Sequence, residues 1–162
     1  ITSEHNAEKI IEEFIKKERK VLLIPGNWDS FATTDFLADF FGVKNIHGYS
    51  VRYEDIGIFG CGGADVGPIT RLTEQEIFDT LKKGFEKISY LKKKIMVTHM
   101  HSSQSKAEFS GISGSTSIKR AIEEFKPDIL LCGHIHEAEG IEEKIGETIV
   151  LNVGKEGKII EL

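Results

Sequence analysis

The stretch Asp128-Ile129-Leu130-Leu131-Cys132-Gly133-His134-Ile135-His136 joins a wholly apolar run to a glycine and two histidines one residue apart. A short apolar run of this kind, following a helical pattern and a proline, predicts a buried strand of a largely parallel sheet. In an extended chain, residues i and i+2 project to the same side. His134 and His136 can therefore point to one place beyond the end of the strand, at the sheet edge where open α/β folds usually bind ligands.

A second His-x-His pair, His99 and His101, follows another apolar run, Lys94–Thr98. The same geometric argument places both imidazoles beyond the end of a second buried strand. Neutral imidazole is the commonest metal ligand among protein side chains. Four imidazoles at one sheet edge therefore predict a metal site.

The remaining sequence alternates helical and strand patterns, which is typical of an α/β fold in one domain over residues 1–162. Apolar periodicity predicts helices over Ser3–Arg19, Thr33–Phe41, Thr73 to about Tyr90, and Ser115–Phe125. The first can be capped by Thr2 or Ser3, and the third opens with the capping-box pair Thr73 and Glu76. Strands are predicted at Val21–Ile24, Ser50–Glu54, Ile56–Gly60, Lys94–Thr98, Ile129–Cys132, Ile141–Ile145, Thr148–Val153 and Lys158–Leu162.

Composition narrows the class of protein. The chain has 162 residues, of which 40% are apolar and 29% charged, the balance of an ordinary globular domain. A net charge of -5 gives no basic footprint for nucleic acid, and no apolar segment reaches the roughly 18 residues of a membrane span. Cys61 and Cys132 are interpreted as core residues rather than a disulfide or metal pair, which predicts a cytoplasmic protein. The high content of Lys and Glu favours a thermophilic source organism.

Three blocks carry a family resemblance. Gly26-Asn27-Trp28-Asp29, Thr98-His99-Met100-His101 and Gly133-His134-Ile135-His136 each follow an apolar strand. Their order and spacing resemble the metallophosphoesterase (calcineurin-like phosphoesterase) superfamily, whose pattern ends in Gly-Asn-His-Asp/Glu, a lone His and Gly-His-x-His. The segments Ser110–Ser115 and Gly140–Gly154 also resemble the small single-domain phosphoesterases of archaea and thermophilic bacteria.

The resemblance implies a fold and a reaction. The fold is two packed mixed β-sheets flanked by helices. The reaction is divalent-metal-dependent hydrolysis of a small phosphoester, either a monoester or a diester, by a metal-activated hydroxide. Two divalent ions are implied, with Mn²⁺ favoured and Fe, Zn, Ni or Mg as alternatives. No membrane partner is expected, and a homo-oligomer stays open.

The resemblance also assigns roles to individual residues. One metal ion would be held by Asn27, His99 and His134, and the other by His136. Asp29 would hold a metal ligand in position without binding the metal itself. The remaining two are less determined: His101 either contacts phosphate or is a solvent-exposed or supporting residue, and Trp28 either contacts substrate or packs over the site. His47 is interpreted as a surface histidine, and the glycine loop Gly60–Gly63 either cradles phosphate or is a simple turn.

Two departures from the family pattern keep alternatives open. The Asp-x-His and Gly-Asp blocks, which would supply the bridging Asp and further ligands, do not precede Gly26, so an N-terminal βαβ unit is expected to be missing. Trp28 stands where the family has a catalytic His, and indole has no usable proton to exchange. The alternatives are a non-catalytic binding or scaffold module on the same fold, or an inactive fragment with half of a dinuclear site.

Overall fold

The computed structural model describes residues 4–161, in which strands and helices alternate along most of the chain. The four α-helices are α1 (Glu4–Lys16), α2 (Phe31–Phe41), α3 (Glu74–Glu86) and α4 (Thr116–Phe125). The strands are β1 (Leu22–Leu23), β2 (Lys44–Asn45), β3 (Ser50–Tyr53), β4 (Ile56–Cys61), β5 (Lys93–Thr98), β6 (Ile129–Cys132), β7 (Glu142–Ile145) and β8 (Thr148–Asn152). Short 3-10 helices cover Lys106–Ser110 and His136–Ala138.

The strands form two sheets. The larger sheet has the order β3-β4-β5-β6-β8-β7, and the smaller one pairs β1 with β2. Strands β4, β5, β6 and β8 run parallel, while β3 and β7 are antiparallel edges. The predicted α/β fold with two sheets flanked by helices is confirmed, and the smaller sheet consists of two parallel strands.

Register brings the predicted site together. Thr98 at the end of β5 pairs with Cys61 of β4, and Val97 pairs with Leu131 of β6. The carboxyl ends of three parallel strands therefore lie side by side at one edge of the sheet. This is the edge at which α/β folds place ligands.

The core lies mainly between the larger sheet and helices α3 and α4. Phe59, Met96 and Leu130 project from three neighbouring strands and are completely buried, as are Leu81 of α3 and Ala121 of α4. Burying a large apolar side chain contributes about 1.5–3 kcal/mol, so this face supplies most of the hydrophobic stabilisation. The pattern agrees with the near-continuous apolar runs of a buried parallel sheet.

Helix α3 helps to hold α4. Thr73 and Glu76 form the predicted capping box of α3. The next residue in the cap, Glu74, reaches across instead: its carboxylate accepts the backbone N–H of Ser117 at 2.6 Å and the hydroxyl of Ser115 at 2.8 Å. A carboxylate at a helix N-terminus satisfies free N–H groups and complements the helix dipole.

Several predicted boundaries shift. Helix α2 begins two residues early because Ser30 Oγ accepts the N–H of Thr33, and α3 ends at Glu86 instead of Tyr90. The predicted strand Lys158–Leu162 is wrong for residues 158–161, which are irregular because β7 already occupies the edge beside β8. The proposed caps Thr2 and Ser3, and Leu162, lie outside the described residues.

The two cysteines lie in the core as predicted. Cys61 and Cys132 are buried and free, and burial raises the pKa of each thiol to about 12. Within residues 4–161, none of the helices is both long enough and apolar enough to cross a bilayer.

Candidate metal centre

The candidate site lies where three chain segments leave the ends of their strands. These segments contain Asn27 after β1, His99 after β5 and His134 after β6. The His99 N–H donates to the carbonyl of Cys61 at 3.1 Å, and the Gly133 N–H donates to the carbonyl of His99 at 3.1 Å. These bonds extend the pairing of β4, β5 and β6 by one step beyond the strands. The two His-x-His turns are thereby tied to each other before any ligand binds.

Three atoms that could bind a metal ion lie close together at this edge. Asn27 Oδ1 lies 3.1 Å from His99 Nε2, and His99 Nε2 lies 3.2 Å from His134 Nδ1. The His99 and His134 rings are nearly perpendicular, at 73°, with centroids 5.1 Å apart. Ligand atoms around a metal with bonds of about 2.0–2.1 Å are spaced by about 2.9–3.4 Å. The observed spacings fall in that range.

The Asn27 side chain is oriented by its surroundings. Its Nδ2 donates to the carbonyl of Val66 at 3.3 Å, which turns Oδ1 towards His99. Gly67 packs against the amide so closely that a Cβ would lie 2.8 Å from Asn27 Nδ2, and its φ of +132° also requires glycine. Behind the turn, Asp29 Oδ2 accepts the N–H of Gly26 at 2.8 Å. Asp29 therefore shapes the backbone that presents Asn27.

His134 sits in an unusual backbone conformation. Its φ is +68°, in the left-handed region, which costs a non-glycine residue about 1–2 kcal/mol. The buried Asn152 Nδ2 donates to the carbonyls on both sides of it, those of Gly133 at 3.3 Å and Ile135 at 3.2 Å. Asn152 thus holds the turn that aims His134. The sequence pattern predicts no role for Asn152, although a polar amide at the end of an apolar strand is a usable signal.

The second histidines of the two pairs, His101 and His136, lie in different surroundings. His101 is 0% exposed, and its Nε2 lies 3.2 Å from the carbonyl of Ile112. A carbonyl only accepts, so Nε2 carries the proton and Nδ1 is an acceptor. The interpretation of His101 as solvent-exposed is wrong, whereas its role as a phosphate contact stays a prediction. His136 is exposed and starts the short 3-10 helix.

Burial keeps the imidazoles neutral. It lowers the pKa of His99 to about 4, aided by the neighbouring His134. Burial likewise lowers the pKa of His101 and of His134. Neutral imidazole is the form that binds metals, because its nitrogen lone pair is free.

The residues fit part of a coordination sphere. Within residues 4–161, no group of three or more His, Cys, Asp or Glu side chains is arranged to hold a metal ion. The set that does converge contains an amide oxygen and two imidazole nitrogens, whose close contact needs a shared proton or a cation between the lone pairs. His134 Nε2, His101 Nδ1 and Asp65 Oδ1 are also buried and unpaired among the described residues. A divalent ion would therefore find three ligands here and would complete its sphere from outside this set.

The glycine loop is not a phosphate cradle. The N–H of Gly62 donates to His47 Nδ1 at 3.0 Å, and the N–H of Gly63 donates to the carbonyl of Pro25 at 2.8 Å. A Cβ on Gly62 would lie 2.2 Å from that carbonyl, so only glycine fits. The interpretation of His47 as a surface residue is wrong as well: it is half-buried, and burial lowers the pKa of its imidazole.

A comparison with known families identifies the superfamily of the chain. Residues 3–159 match the description "Calcineurin-like phosphoesterase superfamily domain". The chain belongs to this superfamily. Proteins of the calcineurin-like phosphoesterase superfamily are mostly hydrolases that act on phosphoesters, and they typically bind divalent metal ions. The resemblance read from the three sequence blocks is confirmed at this level.

Solved structures agree on the fold. The crystal structure of TT1561 from Thermus thermophilus matches with a TM-score of 0.70 at 17% identity, covering 94% of this chain and 71% of that one. A second structure matches with a TM-score of 0.70 at 17% identity and is covered over 65% of its length. Thermus thermophilus sulfate thiohydrolase SoxB in complex with glycerol matches with a TM-score of 0.56 at 14% identity, over 94% of this chain and 31% of that one. This chain thus spans only part of each, and the comparison with curated proteins gives no match.

Proposed function

We propose that this chain is a metal-dependent phosphoester hydrolase in which Asn27, His99 and His134 hold a divalent ion. The observation that supports it is the contact of Asn27 Oδ1, His99 Nε2 and His134 Nδ1 at 3.1 and 3.2 Å. A divalent ion supplies two things in such chemistry: it makes water a nucleophile at neutral pH, and it neutralises charge on phosphoryl oxygens. We propose Mn²⁺ as that ion and His136 as a ligand of a second one.

The side chains of the site would divide the remaining work. His99 and His134 stay neutral because they are buried, and Asn152 keeps His134 aimed at His99. His101 Nδ1 would accept a hydrogen bond from a buried water, because the ring is 0% exposed and Nε2 faces the Ile112 carbonyl. Trp28 lies beside Asn27 and can donate its indole N–H but cannot transfer a proton. The leaving group therefore receives no proton from this side.

We further propose a small phosphoester as the substrate and the cytoplasm as the compartment. The buried, free thiols of Cys61 and Cys132 support a reducing compartment. Monoester and diester substrates both suit the proposal, because a metal ion held by Asn27, His99 and His134 would bind only the phosphoryl end.

One alternative function has an observation in its favour. A non-catalytic binding module on the same fold would explain Trp28 at the family's catalytic position. It would also explain why, in the described part of the chain, no three His, Cys, Asp or Glu side chains are arranged to hold a metal ion. Catalysis and binding are separated by one experiment.

The test measures hydrolysis of p-nitrophenyl phosphate and bis(p-nitrophenyl) phosphate by the purified chain, with EDTA and then with added Mn²⁺. We expect activity only with the metal, and a loss of at least 100-fold in kcat/KM for His134→Ala because it removes a ligand. Tyr90→Ala, an exposed residue after α3, is the matched control and should keep its activity. Equal activity of His134→Ala and the wild type contradicts the proposed site. Metal binding without hydrolysis favours the binding module.

A further inference from the structure

An exposed apolar patch adjoins the candidate metal centre. Trp28 is 69% exposed, Ile69 55% and Val66 43%. We term these three side chains the apolar rim. Single exposed apolar residues are ordinary, but several that stand on segments bonded to one polar residue can form a binding surface.

Hydrogen bonds fix the rim to the metal ligand itself. The Asn27 carbonyl accepts the N–H of Ile69 at 3.3 Å and that of Thr70 at 3.2 Å, and Asn27 Nδ2 donates to the Val66 carbonyl at 3.3 Å. The Thr70 hydroxyl donates to the carbonyl of Asp29 on the other side of Trp28. Both rim segments are therefore held against the residue whose Oδ1 faces His99. The rim has a defined position relative to the ligands.

The rim offers contact area but no acid. The indole N–H of Trp28 is far too weak an acid to protonate a leaving group, and the side chains of Val66 and Ile69 carry no polar atom. The nearby carboxylate oxygen Asp29 Oδ2 already accepts the N–H of Gly26 at 2.8 Å. An alcohol that leaves towards the rim must depart as its anion. Aryl oxides are far better leaving groups than alkoxides under that condition.

We infer that the rim binds an aromatic ring on the alcohol side of the substrate, so that the site selects aryl phosphoesters. This inference rests on the proposed function. In the step, the oxygen of water forms a new bond to phosphorus and gives up one proton to solvent, while the bond from phosphorus to the aryl oxygen breaks. The aryl oxide leaves with the electron pair and takes its proton from solvent. The ring packs on the face of Trp28, an arrangement that adds to simple area burial.

Binding at the apolar rim can be followed by tryptophan fluorescence, because Trp28 is the single tryptophan of the chain. The test titrates the full chain, with Mn²⁺, with phenylphosphonate and with methylphosphonate, which share the anionic end and are not hydrolysed. We expect phenylphosphonate to change Trp28 fluorescence and to bind about tenfold more tightly, a difference of about 1.4 kcal/mol. Val66→Ser and Ile69→Ser should each reduce this preference several-fold. Phe40→Ser, which removes an exposed aromatic ring on α2, is the matched control and should not.

Calorimetry on Trp28→Leu completes the test, and we expect the phenyl preference to fall close to one there. Equal affinity of the two phosphonates for the wild type would contradict the inference that the apolar rim binds an aromatic ring. The proposed metal site would be unaffected by that result. Binding of neither phosphonate at any Mn²⁺ concentration would overturn the proposed function, and the rim with it. Trp28 emission that changes with protein concentration alone would assign the rim to a second copy of the chain and overturn the inference.

Discussion

The two His-x-His turns follow adjacent parallel strands, yet their rings meet very different surroundings. His99 and His134 contact each other at 3.2 Å, whereas His101 is wholly buried beneath Ile112 and His136 is exposed. The rule that residues i and i+2 share a side applies only while the chain stays extended. His134 leaves that conformation with a φ of +68°, so the second turn does not repeat the first. The same motif therefore gives one shared site and two divergent side chains.

The largest difference should appear in metal affinity. We expect His134→Ala to weaken Mn²⁺ binding at the Asn27 site by at least 100-fold, about 2.7 kcal/mol, because it removes a ligand. His136→Ala should leave that binding event within about threefold and affect only a second ion. Isothermal titration calorimetry of both variants measures the contrast. Equal losses in the two variants would contradict the separation of the two histidines.

For the stability of the fold, we expect His101 to matter and His136 to matter little. His101→Ala removes a fully buried ring and leaves the Ile112 carbonyl unpaired, so we expect a loss of about 2–3 kcal/mol in the free energy of unfolding. His136→Ala should change it by less than about 0.5 kcal/mol, as exposed substitutions do. Urea denaturation without metal checks both values. A larger effect at position 136 would mean that the exposed ring contributes to the packing of the fold.

The smallest expected effect concerns the half-buried imidazole of His47, which lies outside both turns. Burial lowers the pKa of His47, opposed by Asp35 and aided by Lys83. The unfolded chain then binds a proton at a pH where the folded protein does not, so stability is full above about pH 6.5 and falls as the pH drops. The free energy of unfolding of His47→Gln should fall less steeply between pH 7 and pH 5 than that of the wild type. Parallel curves would mean that His47 titrates alike in both states.

Local signals in the sequence were enough for much of the fold. The capping box at Thr73, the apolar run of β6 and the hairpin of β7 and β8 depend on neighbouring residues, and the structure has them. Strand β2 was not predicted, because its two residues, Lys44 and Asn45, have no apolar signal and form a strand only by pairing with β1.

Part of the geometry of the candidate site was also predictable. Block order and family resemblance led to Asn27, His99 and His134, which the structure brings together. The supports of the site escaped prediction because they act across the chain. Asn152 bonds the turn at Gly133, and His47 bonds Gly62. Nothing in the local pattern around either residue specifies its distant partner.

The Glu74 carboxylate ties the N-terminus of α4 to the first turn of α3, because it accepts the N–H groups of Thr116 and Ser117, while Ser115 Oγ caps the N–H of Ile118 from within α4. Opening α3 alone would leave the N–H groups of Thr116 and Ser117 without their acceptor. We therefore expect the two helices to exchange their amide hydrogens as one cooperative unit, with a common opening free energy. The loop between β5 and α4, which carries His101, is bonded to Ser115: the Ser115 N–H donates to the carbonyl of His101, and the Ser103 N–H donates to the carbonyl of Ser115, both at 2.9 Å. We therefore expect this loop to lose its protection from exchange in the same event, so that the chain around His101 opens together with the two helices.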